Sequence, residues 1–317
     1  MNMARRYREC RWPLACATAL GATLLGCEPS NTVPAGAPVM LSFGPVGADG
    51  SPLSLMDDQG NKLPTPPLSN FRAMFDRLVD PSTLEEPDGT PAAGLATVTS
   101  PVVPAGIAST TNFVPNGDGT FTLFLPSGPS ITVLPTCGIP SGAAVTVTLA
   151  LEKVRSHDRT TLAKAAADAS PVLTFMSEPL TVVTDLPEML DMTTQSPVTP
   201  EVDAGTVVTL SFNNRVPGLV ASADAPDPCA SMLPSTGNHI HVAARLGAVA
   251  VSDLDSVVAP DAADPTKWTV SPPGTTDEGP GKWPPGATIT ISVDAMATDI
   301  FAQPMGTEAT ASFKVKS

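Results

Sequence analysis

The stretch Ile139-Pro-Ser-Gly-Ala-Ala-Val-Thr-Val-Thr-Leu149 returns 144 residues later as Trp283-Pro-Pro-Gly-Ala-Thr-Ile-Thr-Ile-Ser-Val293. Each begins with a Pro-Gly turn and continues as a strict apolar/hydroxyl alternation. That pattern puts Val145, Val147 and Leu149, or Ile289, Ile291 and Val293, on one face of a strand and Thr or Ser on the other. Two further correspondences flank the pair in the same order. Upstream, Phe71-Arg-Ala-Met-Phe75-Asp-Arg77 matches Val208-Thr-Leu-Ser-Phe212-Asn-Asn-Arg215; downstream, Val172-Leu-Thr-Phe175 matches Thr310-Ala-Ser-Phe313. Asp158 and Asp299 both follow the repeated strand and pair as the turn before the closing strand. Three matches in one order indicate two copies of one unit.

Working outward, β-rich runs lie near 39–43, 70–76, 119–125, 130–134, 143–154 and 172–183, then 206–213, 239–245, 267–271, 286–294 and 309–315. Pro/Gly clusters such as Pro115-Asn-Gly-Asp-Gly119 and Pro272-Pro-Gly274 separate them. Short strands with turn punctuation and no alternating helices predict an all-β chain of packed antiparallel sheets. One helical stretch is expected, the Ala-rich 160–169. Pro187, Pro197 and Pro200 stiffen a connection between the copies at 186–204.

Composition limits the function. Seventeen basic against 31 acidic residues give a net charge of −14. That excludes a nucleic-acid partner, because replacing counterions along phosphates takes Lys and Arg. Proline and glycine number 36 and 24, below the share that marks a disordered chain. Hydrophobic residues at 42% suffice for a sizeable core.

The N-terminus reads as an address. Arg5, Arg6, Arg8 and Arg11 precede an apolar run from Leu14 to Leu25, too short to span a bilayer but suited to an export signal. Leu24-Leu25-Gly26-Cys27 resembles the lipobox of bacterial lipoproteins, with Leu25 a departure from the smaller residues usual there. The resemblance implies a signal peptide over 1–26 and palmitate-type acyl chains on Cys27, the new N-terminus, followed by a tether to residue 37. Processing leaves 13 basic and 30 acidic residues, a charge of −17. Anionic head groups would repel such a chain, so membrane attachment falls to the acyl chains alone. Glu28 is not the Asp that retains lipoproteins at the inner membrane, which favours the outer membrane of a Gram-negative bacterium.

The order of strands and turns resembles the bacterial Ig-like domain of S-layer (SbsA-type) and other exported surface proteins. That family runs from a strand ending in Phe, through a Gly-Thr strand and an Asp turn, to a closing Phe strand. Here Gly142-Ala143 and Gly286-Ala287 stand at the Gly-Thr, Val145 and Ile289 replace an aromatic, and the turn at Asp299 lacks its Gly-Asn. The resemblance implies two tandem Ig-like antiparallel β-sandwich domains, 38–185 and 205–317, after the lipoprotein signal peptide, with extra sequence near 47–68. It also implies a structural spacer or an adhesion module at the cell envelope. The alternatives are a glycan- or calcium-binding module, or an accessory subunit of an envelope assembly.

Candidate sites are few. Cys137 and Cys229 are the cysteines left after processing; in an oxidising compartment they can pair, and closing that loop would constrain the unfolded chain by roughly 4–5 kcal/mol. His239 and His241 alternate on a strand and face one side, as metal ligands could, although no carboxylate lies in that strand; no metal is expected. Asn116-Gly-Asp118-Gly-Thr120 looks like half a calcium loop, and Asp49, Asp57 and Asp58 could add oxygens, but a hairpin turn explains the same residues. Trp268 and Trp283 are the aromatic pair for stacking a sugar, against core packing. A nucleophile elbow, a phosphate loop, His-Glu-x-x-His and CxxC are all missing, so an enzyme is not expected and no cofactor is implied.

Overall fold

The computed structural model describes residues 36–317 apart from 48, 85–91, 93, 102–120, 125–129, 136, 188, 191–196, 219–228, 230–233, 252–253 and 275–280. Its first half contains β1 (Val39–Val46), β2 (Asn70–Phe75), β3 (Ala96–Thr99), β4 (Phe121–Phe124), β5 (Ser130–Pro135), β6 (Ala144–Leu149), β7 (Lys164–Ala165) and β8 (Val172–Met176). The second contains β9 (Val182–Thr184), β10 (Met189–Leu190), β11 (Pro197–Val198), β12 (Glu201–Val202), β13 (Val208–Phe212), β14 (Ile240–Leu246), β15 (Val249–Val251), β16 (Val257–Pro260), β17 (Lys267–Ser271), β18 (Thr288–Val293) and β19 (Ala309–Val315). Three short 3-10 turns are the helical structure among the described residues.

Each half opposes two sheets. In the first, β4-β5-β2-β1-β7 faces β3-β6-β8; in the second, β16-β17-β13-β9 faces β12-β19-β18-β14-β15. The halves match in register as well as in order. Val147 pairs with Val98 and Leu173, and Ile291 pairs with Val242 and Ala311. Phe71 opposes Val133 as Val208 opposes Val270. Register follows the pleat, because a slip of one residue would turn Val145, Val147 and Leu149 outward.

The inward rows form two cores. Phe71, Phe75, Ile131 and Val133 meet Val98, Val145, Val147 and Phe175, with the Phe71 and Phe175 rings stacked 5.6 Å apart. Leu210, Phe212, Trp268 and Val270 meet Ile240, Val242, Ile289, Ile291 and Phe313 in the second.

Several sequence expectations are corrected. Residues 160–169 hold no helix. The hydroxyls of Ser156, Thr160 and Thr161 bond locally with each other, with Asp158 or with the backbone, which competes with a helical turn. Beyond them Lys164 and Ala166 donate to Pro38 and Met40 carbonyls, drawing the chain alongside β1 as β7. The run expected at 172–183 is two strands: β8 closes the first half, while Leu180 already lies in the second core and β9 pairs with β13. The crossover therefore falls at 177–181. The segment expected as a linker, 186–204, instead carries β12, which pairs with β19. The turn partner of Asp299 is Ser156, not Asp158. Ser156 and Asp299 each accept from the residue three positions on, Arg159 or Ala302, the two non-glycine residues with positive φ among the described residues. The first-half turn is one residue longer, so sequence pairing slips.

Trp268 fixes the approach of two loops. A Cβ at Gly218 would lie 2.1 Å from its ring, and one at Gly237 2.8 Å. Gly218→Ala is therefore expected to destabilise the protein by about 2–4 kcal/mol, read as a lower midpoint in denaturant unfolding with an unchanged slope. An unaltered midpoint would show that the loop does not seat on the ring.

Candidate functional site

A buried polar cluster lies where the halves meet. The turn Ile139-Pro-Ser-Gly142 that opens β6 reaches the chain leaving β13, Asn213 to Val216, and the turn after β18 that contains Asp299. Asn214 and Asp299 are both fully buried. Asn214 Nδ2 donates to the Ile139 carbonyl at 2.9 Å, to Ser141 Oγ at 2.8 Å and to Asp299 Oδ2 at 3.1 Å. Ser141 N donates to Asp299 Oδ2 at 2.8 Å, while Phe301 N and Gln303 N donate to Oδ1 at 2.9 and 2.8 Å. Burial pushes the Asp299 carboxyl up to about 6, against the N–H donors of Ser141, Gln303 and Phe301, which pull it down.

Asn213 ties the crossover to the same point, accepting from Thr181 N at 2.8 Å and donating to the Pro179 carbonyl at 2.9 Å. Gly138, at φ 79, permits the close approach: a Cβ there would meet the Pro67 carbonyl and the Leu68 side chain at 3.0 and 2.9 Å. Beside it Cys137 and Cys229 are joined by a disulfide, Cα atoms 5.5 Å apart, packed with Phe301 in a small apolar cluster. Cys229 comes from the β13–β14 connection, 27 residues long against 20 between β2 and β3. Residues 34–317 accordingly form one compact unit.

The other candidate residues have different fates. His239 closes the 3-10 turn Thr236–His239, so only His241 lies on β14, and a carboxylate reaches both from the end of the neighbouring strand. Asp294 lies 3.0 Å from His239 Nδ1 and 3.5 Å from His241 Nε2. Burial acts to raise the Asp294 carboxyl, but hydrogen bonds from His239, Met296 N and His241 hold it below its ordinary value. Among the described residues no group of His, Cys, Asp or Glu is placed to hold a metal ion. The tryptophans do not form a sugar platform. Trp268 and Trp283 are 3% and 0% exposed, and Trp283 donates its indole N–H to the Thr206 carbonyl while meeting Phe313 edge-on at 5.6 Å. Their large apolar area is worth more inside the sandwich than on its surface. Asp57 spends its carboxylate on Gln59 N, Asn61 N and the Asn61 amide, and Asp49 on Ser51, as turn caps do. Asp118 and Cys27 lie outside the described residues.

Asn214, Ser141 and Asp294 are the site residues that sequence reading missed. For Asn214 a signal existed: Asn213-Asn214 stands where the first half has Asp76-Arg77, and a buried amide replaces a partly buried ion pair.

The chain matches no known family profile, and no curated protein matches it. Among solved structures it is similar to the N-terminal part of the bacterial S-layer protein SbsC, with a TM-score of 0.27 and 10% identity. The match covers 89% of this chain, which spans 44% of that one.

Removing the disulfide as Cys137→Ser with Cys229→Ser is expected to lower stability by roughly 3–5 kcal/mol. Equilibrium denaturation under non-reducing conditions measures it. Acrylamide quenching of native tryptophan fluorescence is expected to be weak and unaffected by added oligosaccharides; strong quenching relieved by a sugar would restore the platform reading.

Proposed function

We propose that this chain is a lipid-anchored cell-envelope protein whose two tandem Ig-like domains act as a structural spacer or adhesion module. Cys27 carries the acyl chains, and the mature polypeptide, at −17, depends on them for its hold on the outer membrane. Its partners are then the membrane, through the lipid, and an envelope protein or glycan met by the sandwich surfaces, in a role without catalysis.

The observation that carries the reading is the joint. A spacer must transmit orientation, and tandem sandwiches on a loose linker would sweep a wide volume instead. Here Ser141, Asn214 and Asp299 bond across the seam and a disulfide closes it. The two hydrophobic cores are then held together in one compact unit.

Detergent phase partition of the full chain expressed in a Gram-negative host tests the anchoring. The wild type is expected in the detergent phase and Cys27→Ala in the aqueous phase. A mature wild type that stays aqueous, or a Cys27→Ala variant that remains membrane-bound, would sink the proposal.

A further inference from the structure

We propose that the outer edge of β9 is a docking site for an extended protein segment that adds a strand parallel to β9, sends a large aliphatic side chain between the sheets and presents a basic residue outward. β9 ends its sheet and pairs with β13 on one side. Asp185 N donates to the Thr209 carbonyl and Asn213 N to the Thr181 carbonyl. In the alternation of an antiparallel pair, the N–H and C=O groups of Val182 and Thr184 therefore point away from β13. Among the described residues nothing pairs with them. On the opposing sheet β12 covers only the Lys314–Val315 end of β19, so Ala309 to Ser312 is a second open edge. Between the two edges lies a cleft of about 210 Å³, lined by Val182, Thr184, Leu210, Ile291, Ala309 and Ala311.

The first half shows what fills this place. Met40 pairs with Phe75 as Val182 pairs with Phe212, and Leu173 pairs with Val147 as Ala311 pairs with Ile291. Met40 and Leu173 are buried in the first core, whereas the smaller Val182 and Ala311 leave the cleft. β1, the counterpart of β9, is not an edge. β7 lies parallel against it, with Lys164 N and Ala166 N donating to the Pro38 and Met40 carbonyls. Ala163 and Ala165 pack on that core, and Lys164 is exposed. The connection that supplies β7, 150–171, has 22 residues; its counterpart, 294–308, has 15 and supplies no strand. The second half thus carries the seat for a β7-like strand without the strand.

The chemistry of the partner follows from the seat. An added strand satisfies the outward groups of Val182 and Thr184, and its inward side chain enters the cleft. An apolar cavity of roughly 150 Å³ already admits a benzene ring, so Leu, Ile or Met fits where the first half places Ala165. Asp185 directly follows β9 and Glu308 directly precedes β19, both exposed, on a chain of net charge −14. A basic residue next to the inserted side chain, in the place of Lys164, matches that charge, and an acidic one is repelled. A second copy would bring the same acidic ends and the same net charge. The site gives the adhesion role proposed above a partner of stated chemistry, and rests on that reading for the partner's place in the envelope.

The test is hydrogen exchange by NMR on the full chain, with a synthetic peptide of residues 160–166 carrying Ala165→Leu, its ends acetylated and amidated. The Val182 and Thr184 amides are expected to exchange fast in the chain alone. At about ten times its dissociation constant the peptide is expected to slow them about 10-fold, with Val147 and Ile291 unchanged. The unaltered 160–166 peptide is expected to bind more weakly, and so is the Ala165→Leu peptide that also carries Lys164→Glu. Two variants of the chain are expected to lose the protection: Ala311→Leu, which fills the cleft as Leu173 does in the first half, and Thr184→Pro, which removes an outward N–H that β13 does not use. Four results would overturn the site. One is no slowing at millimolar peptide. Another is Val182 and Thr184 protected in the chain alone, covered by another part of it. A third is protection that rises with protein concentration, the mark of a second copy. The last is binding undiminished by Ala311→Leu or by Lys164→Glu in the peptide. The wild-type chain with the three peptides decides the matter even if a variant does not fold. None of these readouts involves Cys27, so failure here leaves the anchoring proposal standing, and the reverse.

Discussion

The seam organised by Asn214 and Asp299 is the constraint on which the molecule depends. Both side chains are fully buried, and besides bonding each other they satisfy backbone groups and the Ser141 hydroxyl in the seam. An unsatisfied buried polar group costs about 1–3 kcal/mol. The seam must therefore form as a whole: removing one partner strands several others. That all-or-none character joins two sandwiches into one unit.

Stability and geometry have different sources. Each fully buried Phe, Ile, Leu or Val contributes about 1.5–3 kcal/mol, and both cores contain many: Phe71, Phe75 and Ile131 in one, Leu210, Ile289 and Phe313 in the other. Apolar burial is non-directional, however, and would permit many relative poses of the halves. Hydrogen bonds contribute only about 0.5–1.5 kcal/mol each, but they require defined distances and angles. In this protein the cores make the halves stable, and the polar seam with its disulfide selects their arrangement.

Much of the fold was legible in the chain. The alternation in 143–149 and 287–293 announced β6 and β18 because a strand with one wet face must repeat every two residues. The Phe175 and Phe313 closures and the Phe75 and Phe212 ends fell at matching registers for the same reason. What failed was local. The 160–169 segment looked helical by its alanines, but its side-chain oxygens and the open edge of β1 offered the backbone better partners. The minimal strands β7, β9 and β12 have two or three residues each, too few to show a period. The crossover was misplaced because Pro187 to Pro200 announces stiffness without saying which sheet the flanking residues join.

The sequence by itself determined the all-β class and the acidity, since these depend on period, composition and count. Tertiary structure alone decided the rest. It turned Trp268 and Trp283 inward, brought Asp294, just past β18, to His239 and to His241 of β14, and brought Ser141 to an aspartate 158 positions away. Such meetings have no sequence period. They arise because two packed sheets bring distant strand ends together, and because a buried polar atom accepts whichever partner that packing supplies.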